Sequence, residues 1–270
     1  MELRPTTDAD LPAMHATFLD ALGGVFRAHA FEPPGRTLEV FSNLQRHVRD
    51  TGVSYVAVDD GAVVAFGSAL TRGRDWFLSS LFVSPAAQGR GVGPALLDAV
   101  WGSADRRRTI TDAIQPISNA LYGRRGLVPA TPLLTFTGMP AIDAEPDEEQ
   151  PADLPAIDEA AYGFDRAPDH VFWSQYARRS TWGDAYAYVF PGGGIGPVAG
   201  LTGASAARAL TAELARADGS VQVRIPGSAR ALVEVALSAG LRLTPVPGLL
   251  LLSRGIDAPT ALAPSGYTLY

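Results

Sequence analysis

The sequence predicts an α/β protein of two similar halves, and three observations carry that prediction. Between Trp76 and Trp101 an apolar run, Phe77 to Val83, gives way to a glycine-rich turn. Apolar residues then resume at helical spacing, at Leu96, Leu97, Val100 and Trp101. Hairpin and helix signals alternate around this stretch, and short patterns of the first half return in the same order in the second.

Taken in order, Thr7 to Pro12 supplies helix N-cap candidates before an apolar period through Met14, Phe18, Leu19 and Leu22. Gly23-Gly24 is expected to interrupt that helix. A second helix is expected from Thr37 to Asp50, with Leu38, Phe41, Leu44 and Val48 on one face and Gly52 after its end. Tyr55–Val58 and Val63–Phe66 flank Asp59-Asp60-Gly61, a hairpin signal. After the central strand and its helix come a short strand at Thr109–Ile114, a short helix from Ile117 to Arg125 and a strand at Leu133–Thr137.

Residues 141–153 are acidic, carry two prolines and lack apolar periodicity. An interdomain linker is expected over 141–150, between domains at 1–140 and 151–270. The repeat supports that division. Asp8-Ala9-Asp10-Leu11-Pro12 returns as Pro151-Ala152-Asp153-Leu154-Pro155, and the hairpin at 55–65 has an echo at 188–198. The glycine-rich turn has no counterpart; Gly200 to Ser205 leads into an alanine-rich helix instead. The final Pro264–Tyr270 reads as either an edge strand or a frayed tail.

Composition narrows the function. The chain has 270 residues, 47% of them hydrophobic, which suffices for substantial cores. A net charge of −6 argues against nucleic acid or an anionic membrane as partner. With no cysteine there is no disulfide, thiolate nucleophile or cysteine-ligated metal, which suits a reducing, cytoplasmic setting. The four histidines are scattered without ligand spacing, so no metal is expected. Met1 to Asp10 lacks the form of a secretory signal, and no apolar run approaches the roughly 20 residues that span a bilayer. Every basic residue is arginine. Lysine chemistry is therefore absent, and abundant arginine says little about phosphate.

A loop of small residues between a strand and a helix favours an anion, because the first amides of a helix are unpaired and its dipole is positive there. Gly89 and Gly91 begin a dinucleotide fingerprint, but Pro94 stands where its third glycine belongs. A P-loop would need a lysine. The spacing present is Q-x-x-G-x-G, at Gln88, Gly91 and Gly93.

The run from Leu81 to Val100 resembles the acetyl-CoA signature of the GNAT N-acetyltransferases. The resemblance implies two GNAT-like domains, each a mixed, mostly antiparallel sheet flanked by helices, the second a degenerate copy. It implies acetyl-CoA as acyl donor. Leu81, Phe82 and Val83 would meet the pantetheine and thioester, and Gln88, Gly89, Arg90, Gly91, Val92 and Gly93 the pyrophosphate. Pro94 has no N–H and would remove one donor. Gln115 to Leu127 is similar to a later family motif in which a helical tyrosine protonates the leaving thiolate. Tyr122 matches it, either as that acid or as a packing residue. Asn119, one turn before Tyr122, takes the place of a family asparagine that Gln115 replaces. Arg124 and Arg125 would reach phosphate or simply end a helix, and Arg106-Arg107-Arg108 reads better as a solvated turn.

The family's usual glutamate base is missing. The central strand offers Ser79 and Ser80, the earlier hairpin Ser68, and Asp75 lies at the strand's start. His29, Glu32 and His47 fall in the helical region that shapes the acceptor site in the family. In the second half Tyr162, Phe164, Asp165, Asp169, His170, Trp173, Tyr176 and Trp182 form either an acceptor wall for a cationic amine or a core. The resulting expectation is direct acetyl transfer to a primary amine of a small molecule or peptide, by a monomer or homodimer. A non-catalytic acetyl-CoA-binding regulator, or a transferase of a longer acyl group, is the alternative.

Overall fold

The computed structural model describes residues 1–33, 35–143 and 145–270. The chain forms two compact units, Met1–Thr109 with Ile114–Arg125, and Ile110–Ala113 with Gly126–Tyr270.

The first unit runs β1 (Glu2–Pro5), α1 (Leu11–Ala28), α2 (Leu38–Thr51), β2 (Gly52–Asp59), β3 (Ala62–Arg72), β4 (Asp75–Val83), α3 (Val92–Val100), β5 (Arg106–Asp112) and α4 (Pro116–Arg124). Its strands lie in the order β1-β2-β3-β4-β5. All neighbours are antiparallel except β4 and β5, which α3 joins in parallel. One face buries Leu11, Met14, Phe41, Val56 and Phe66. The other buries Ala57, Ala65, Val92 and Leu96.

Contrary to the expected break, α1 passes through Gly23-Gly24 without interruption. Two glycines cost about 1 kcal/mol each in a helix. Burial of Leu11, Met14, Leu22 and Phe26 on the sheet outweighs that cost. Leu19, expected on the apolar face, is exposed. The second helix begins as expected, with Thr37 Oγ1 accepting from Val40 N. Its buried stripe is Phe41, Ser42, Gln45 and Val48, so a glutamine lies inside an apolar face. The β2–β3 turn places Asp60 and Gly61 at φ 49° and 78°, the left-handed pair a tight hairpin needs. The arginine run is strand rather than turn. Arg106 and Arg108 point to the same side and both pair with Asp75.

The second unit runs β6 (Val128–Gly138), α5 (Leu154–Tyr162), α6 (Ala167–Trp173), β7 (Arg178–Thr181), β8 (Ala185–Phe190), β9 (Gly194–Gly200), α7 (Gly203–Ala215), β10 (Val221–Pro226), α8 (Arg230–Ser238), β11 (Arg242–Leu243), β12 (Gly248–Leu252) and β13 (Leu262–Ala263). Its strand order is β12-β6-β10-β9-β8-β7, with β11 on β6 and β13 on β9. β9 and β10 are parallel and joined by α7, as β4 and β5 are by α3. Phe136, Leu210, Val223, Ile225 and Leu232 anchor its core. β6 pairs with β10 on one side and β11 and β12 on the other, and lies in the second unit.

Residue 144 of the expected linker lies outside the described residues. The rest of 141–150 is held by the second unit. Ala141 N donates to Ala239 O, Arg208 pairs with Asp147, and Arg216 pairs with Glu149. Of the aromatic and acidic residues of the second half, Tyr162, Asp169, His170 and Trp173 gather in the interior around Arg166. His170 bonds Asp158 and Tyr188, each at 2.9 Å. This is core rather than wall. Tyr176 and Asp165 stay exposed, Asp165 accepting from Ala167 N, and Trp182 packs in a separate cluster. The end of the chain is not frayed, since Thr268, Leu269 and Tyr270 are buried.

Candidate active site

β4 outruns its ladder with β5. Their ladder runs from Asp75–Arg106 to Leu78–Thr109 and stops, while β4 continues to Val83. The β3 ladder pairs Ser68 with Ser80 and then Ala69 with Leu78, so Ser79 is an extra residue in β4. Such a bulge bends the strand and increases its twist. Beyond it, Ser84 N donates to Val64 O at 2.9 Å, toward β3. Strand groups alternate sides, so Phe82 and Ser80 also turn their backbone toward β3, whereas Leu81 and Val83 turn theirs to the open edge. Gln88 Nε2 reaches Val83 O at 3.1 Å.

The strand then enters the glycine loop. Gly89 and Gly91 hold φ of 76° and 79°, and neither has a heavy atom within 4 Å of where a Cβ would stand. They serve the curl of the chain and leave its surface clear. Gly91 is the N-cap of α3 and offers no side-chain cap. The first turn closes with Ala95 N on Gly91 O at 3.2 Å, so the amides that precede it have no partner within the helix. Pro94, at the third helical position, contributes none. Arg90 is drawn toward the β2 end by an ion pair with Asp59 at 2.8 Å.

Both ends of the stretch are tied together. Trp76 Nε1 donates to Val100 O at 2.8 Å, and the Trp76 and Trp101 rings lie 4.9 Å apart. Arg107 covers Trp101 at 4.2 Å. Val92, Leu96 and Leu97 bury α3 against the sheet. The helix N-terminus is thus fixed relative to the strand.

α4 carries Tyr122, which is buried and hydrogen-bonded to Ser118. Burial pushes its phenol well above the usual tyrosine range, so it holds its proton at neutral pH. Asn119 sits in the first turn, its amide on Gln115 O at 3.1 Å. Arg125 is committed to Asp98 at 2.5 Å, and Arg124 bonds its own helix at Ala120 O.

On the α1 and α2 side of β4 the lining is neutral and aromatic. Gln45 Nε2 donates to Ser80 Oγ at 3.2 Å, and Ser80 lies opposite Ser68. Phe18, Phe41, Phe66 and Phe82 form a continuous ring cluster, with Phe18 and Phe82 edge to face at 5.1 Å. Asp75 is not placed to act as a base, because Arg106 and Arg108 hold it at the other end of the strand. His29 bonds Val25 O and is exposed, Glu32 is exposed, and His47 is partly buried along α2. Gln45 escapes a reading of the sequence that looks for charged groups. Its signal is there all the same: it sits between Phe41 and Val48 at helical spacing, where an apolar residue belongs.

Among the described residues there is no group of His, Asp and Glu that could hold a metal, and no helix long and apolar enough to cross a membrane. No curated protein matches the sequence. A crystal structure from Pyrococcus horikoshii, provisionally named an acetyltransferase, superposes with a TM-score of 0.79 at 18% identity, over 100% of this chain and 95% of that one. The GCN5-related N-acetyltransferase of Sphaerobacter thermophilus superposes with a TM-score of 0.59 at 16% identity, over 96% and 98%. At these identities the likeness is one of fold. Residues 20–127 match the model of the acetyltransferase (GNAT) family. That match spans the bulged strand, the glycine loop, α3 and α4, and the chain therefore carries a GNAT acetyltransferase domain.

Proposed function

We propose that the chain is an acetyl-CoA-dependent N-acetyltransferase with one coenzyme site, acting by direct transfer to a primary amine. The observation that carries this reading is the open edge of β4 beyond Leu78, leading directly into an α3 N-terminus without a side-chain cap. An extended pantetheine arm suits the first feature and a pyrophosphate the second. Leu81 and Val83 turn backbone groups to the thioester, Phe82 faces the acceptor side, and residues Gln88–Gly93 cradle the phosphates. Asn119 lines the site from α4. Tyr122 supplies the proton that the leaving sulfur takes up. As the C–N bond forms and the C–S bond breaks, one amine proton leaves to solvent and Tyr122 is reprotonated from solvent.

The second unit repeats the βαβ arrangement, which supports a degenerate second copy. Its helix N-terminus is closed, however. Thr202 Oγ1 accepts from Ser205 N at 3.1 Å, and Thr202 N donates to Ser205 Oγ at 3.0 Å. This capping box satisfies the Thr202 and Ser205 amides, whereas α3 has no side-chain cap. A cytoplasmic location and a monomeric or homodimeric state complete the reading.

The experiment is calorimetric titration with acetyl-CoA, followed by thiol release with an amine panel. Saturable binding and amine-dependent release are expected. Absence of saturable binding overturns the reading. Binding without release for any amine would favour a non-catalytic coenzyme-binding regulator, which the lack of a carboxylate at Ser80 motivates.

A further inference from the structure

The first unit has an open cavity of about 610 Å³ between α1 and the β2–β3 turn. That size suits a small molecule. None of the residues assigned above to the coenzyme lines it. Ala13, Ala16 and Val63 give it an apolar wall, and Thr17, Asp20 and Ser84 bring polar groups to it.

Thr17 is only 5% exposed, and its remaining surface opens on the cavity. Its hydroxyl has no hydrogen-bond partner among the described residues. The other threonines of the described α-helices, Thr51 and Thr211, each donate to the carbonyl one turn back, of His47 at 2.8 Å and of Ala207 at 3.0 Å. A helical threonine turned from solvent commonly makes that local bond. Thr17 does not, and a polar group so buried is rarely left unpaired. Asp20, three residues along and therefore on the same face of α1, is exposed and has no ion-pair partner among the described residues.

The remaining charges near the cavity are already matched. Arg4 and Asp10 also line it, but they are committed to each other through bonds of 2.8 and 2.7 Å. Asp59, just before the turn, pairs with Arg90, and Asp8 with Arg46 and Arg49. Asp20 is thus the uncompensated charge of the lining, and it disfavours an anion. One carboxylate with two hydroxyls falls short of the six or so oxygens a hard divalent cation takes. An ammonium group has three N–H donors and no acceptor, which suits one carboxylate and two hydroxyls. Because the cavity is open, such a cation keeps part of its water and escapes the full cost of burial.

We infer that this cavity is a further ligand site, which takes a small primary alkylammonium with its N–H groups on Asp20, Thr17 and Ser84 and its alkyl chain on the Ala13, Ala16 and Val63 wall. The site does not depend on acetyl transfer.

The test titrates the full chain with pentylamine by calorimetry, without acetyl-CoA. Pentanol, valerate and pentyltrimethylammonium supply a similar body with a neutral head, an anionic head and a cationic head without N–H. Pentylamine is expected to saturate one site at about millimolar concentration. Each of the other three is expected to bind at least about tenfold more weakly. Thr17→Val keeps the shape of the side chain and removes the hydroxyl, and Asp20→Asn removes the charge at an exposed position. In variants that keep their fold by circular dichroism, each should weaken pentylamine by about threefold to tenfold. Stronger binding of Nα-acetyllysine methylamide than of pentylamine would make a lysine side chain the source of the ammonium, and the reverse a free alkyl amine. No saturable binding, or equal binding of pentanol, overturns the inference. So does binding that both folded variants leave unchanged, since the amine would then sit elsewhere, as at the acceptor position of a transferase. Where a variant does not fold, the methyl resonances of Ala13 and Ala16 in the unaltered chain decide. They should shift in step with saturation, and no shift at either would overturn the inference.

Discussion

Thr109 Oγ1 donates a 3.1 Å hydrogen bond to the carbonyl of Leu78 at the last rung before β4 and β5 part. Both residues are buried, at 1% exposure, so no solvent can replace the bond. It closes the last rung of the β4–β5 ladder.

Thr109→Val keeps the shape and removes the donor. Loss of this buried hydrogen bond should cost about 1 kcal/mol, read by urea unfolding. Acetyl-CoA affinity should fall as well, because the strand that continues to Val83 is no longer pinned at this rung. Unchanged affinity in a destabilised but folded variant would separate this bond from the site.

Gly91→Ala places a Cβ in open space but at a left-handed φ of 79°. A stability loss of about 1–2 kcal/mol is expected from the backbone alone. The loop amides should shift with it, and acetyl-CoA should bind at least about tenfold more weakly, a change of about 1.4 kcal/mol. Calorimetry on the folded variant measures this, and wild-type affinity would argue against an amide cradle.

Tyr122→Phe removes the phenol and little else. Loss of a positioned acid should lower kcat by about 10²-fold, with acetyl-CoA affinity nearly unchanged. A parallel loss of affinity would assign Tyr122 to packing.

Burial raises Tyr122 and Tyr186 above the ordinary tyrosine range and pushes Tyr162 up to about 12. In the unfolded chain these phenols ionise near 10. Above that pH the unfolded state has lost protons that the folded state keeps, so it is favoured. Stability should be constant with respect to these groups below about pH 10 and fall above it. Denaturant unfolding as a function of pH checks this, and stability that rises between about pH 10 and 12 would contradict the burial of these phenols.

The central unit was legible because strand, loop and helix each leave a local mark: the apolar run at Phe77–Val83, the paired glycines, and the spacing of Leu96 and Val100. The Asp60-Gly61 turn and the Thr37 cap are equally local. Other features depend on what packs against what. Gly23-Gly24 reads as a break until the sheet beneath α1 is present. The strand at Val128–Gly138 reads as the end of the first half until its partners, β10 and β12, are seen far along the chain. The arginines at 106–108 read as a solvated run because nothing in the sequence announces that Asp75 will face two of them. Gln45 breaks an apolar stripe, which is visible, but its partner Ser80 is not.

The coenzyme site is tested most directly by the stoichiometry and affinity of acetyl-CoA binding to the full chain, measured by titration calorimetry. The open N-terminus of α3 and the self-capped N-terminus of α7 together predict saturable binding at one site per chain, abolished or strongly weakened by Gly91→Ala. No saturable binding, or two equivalent sites per chain, would contradict it.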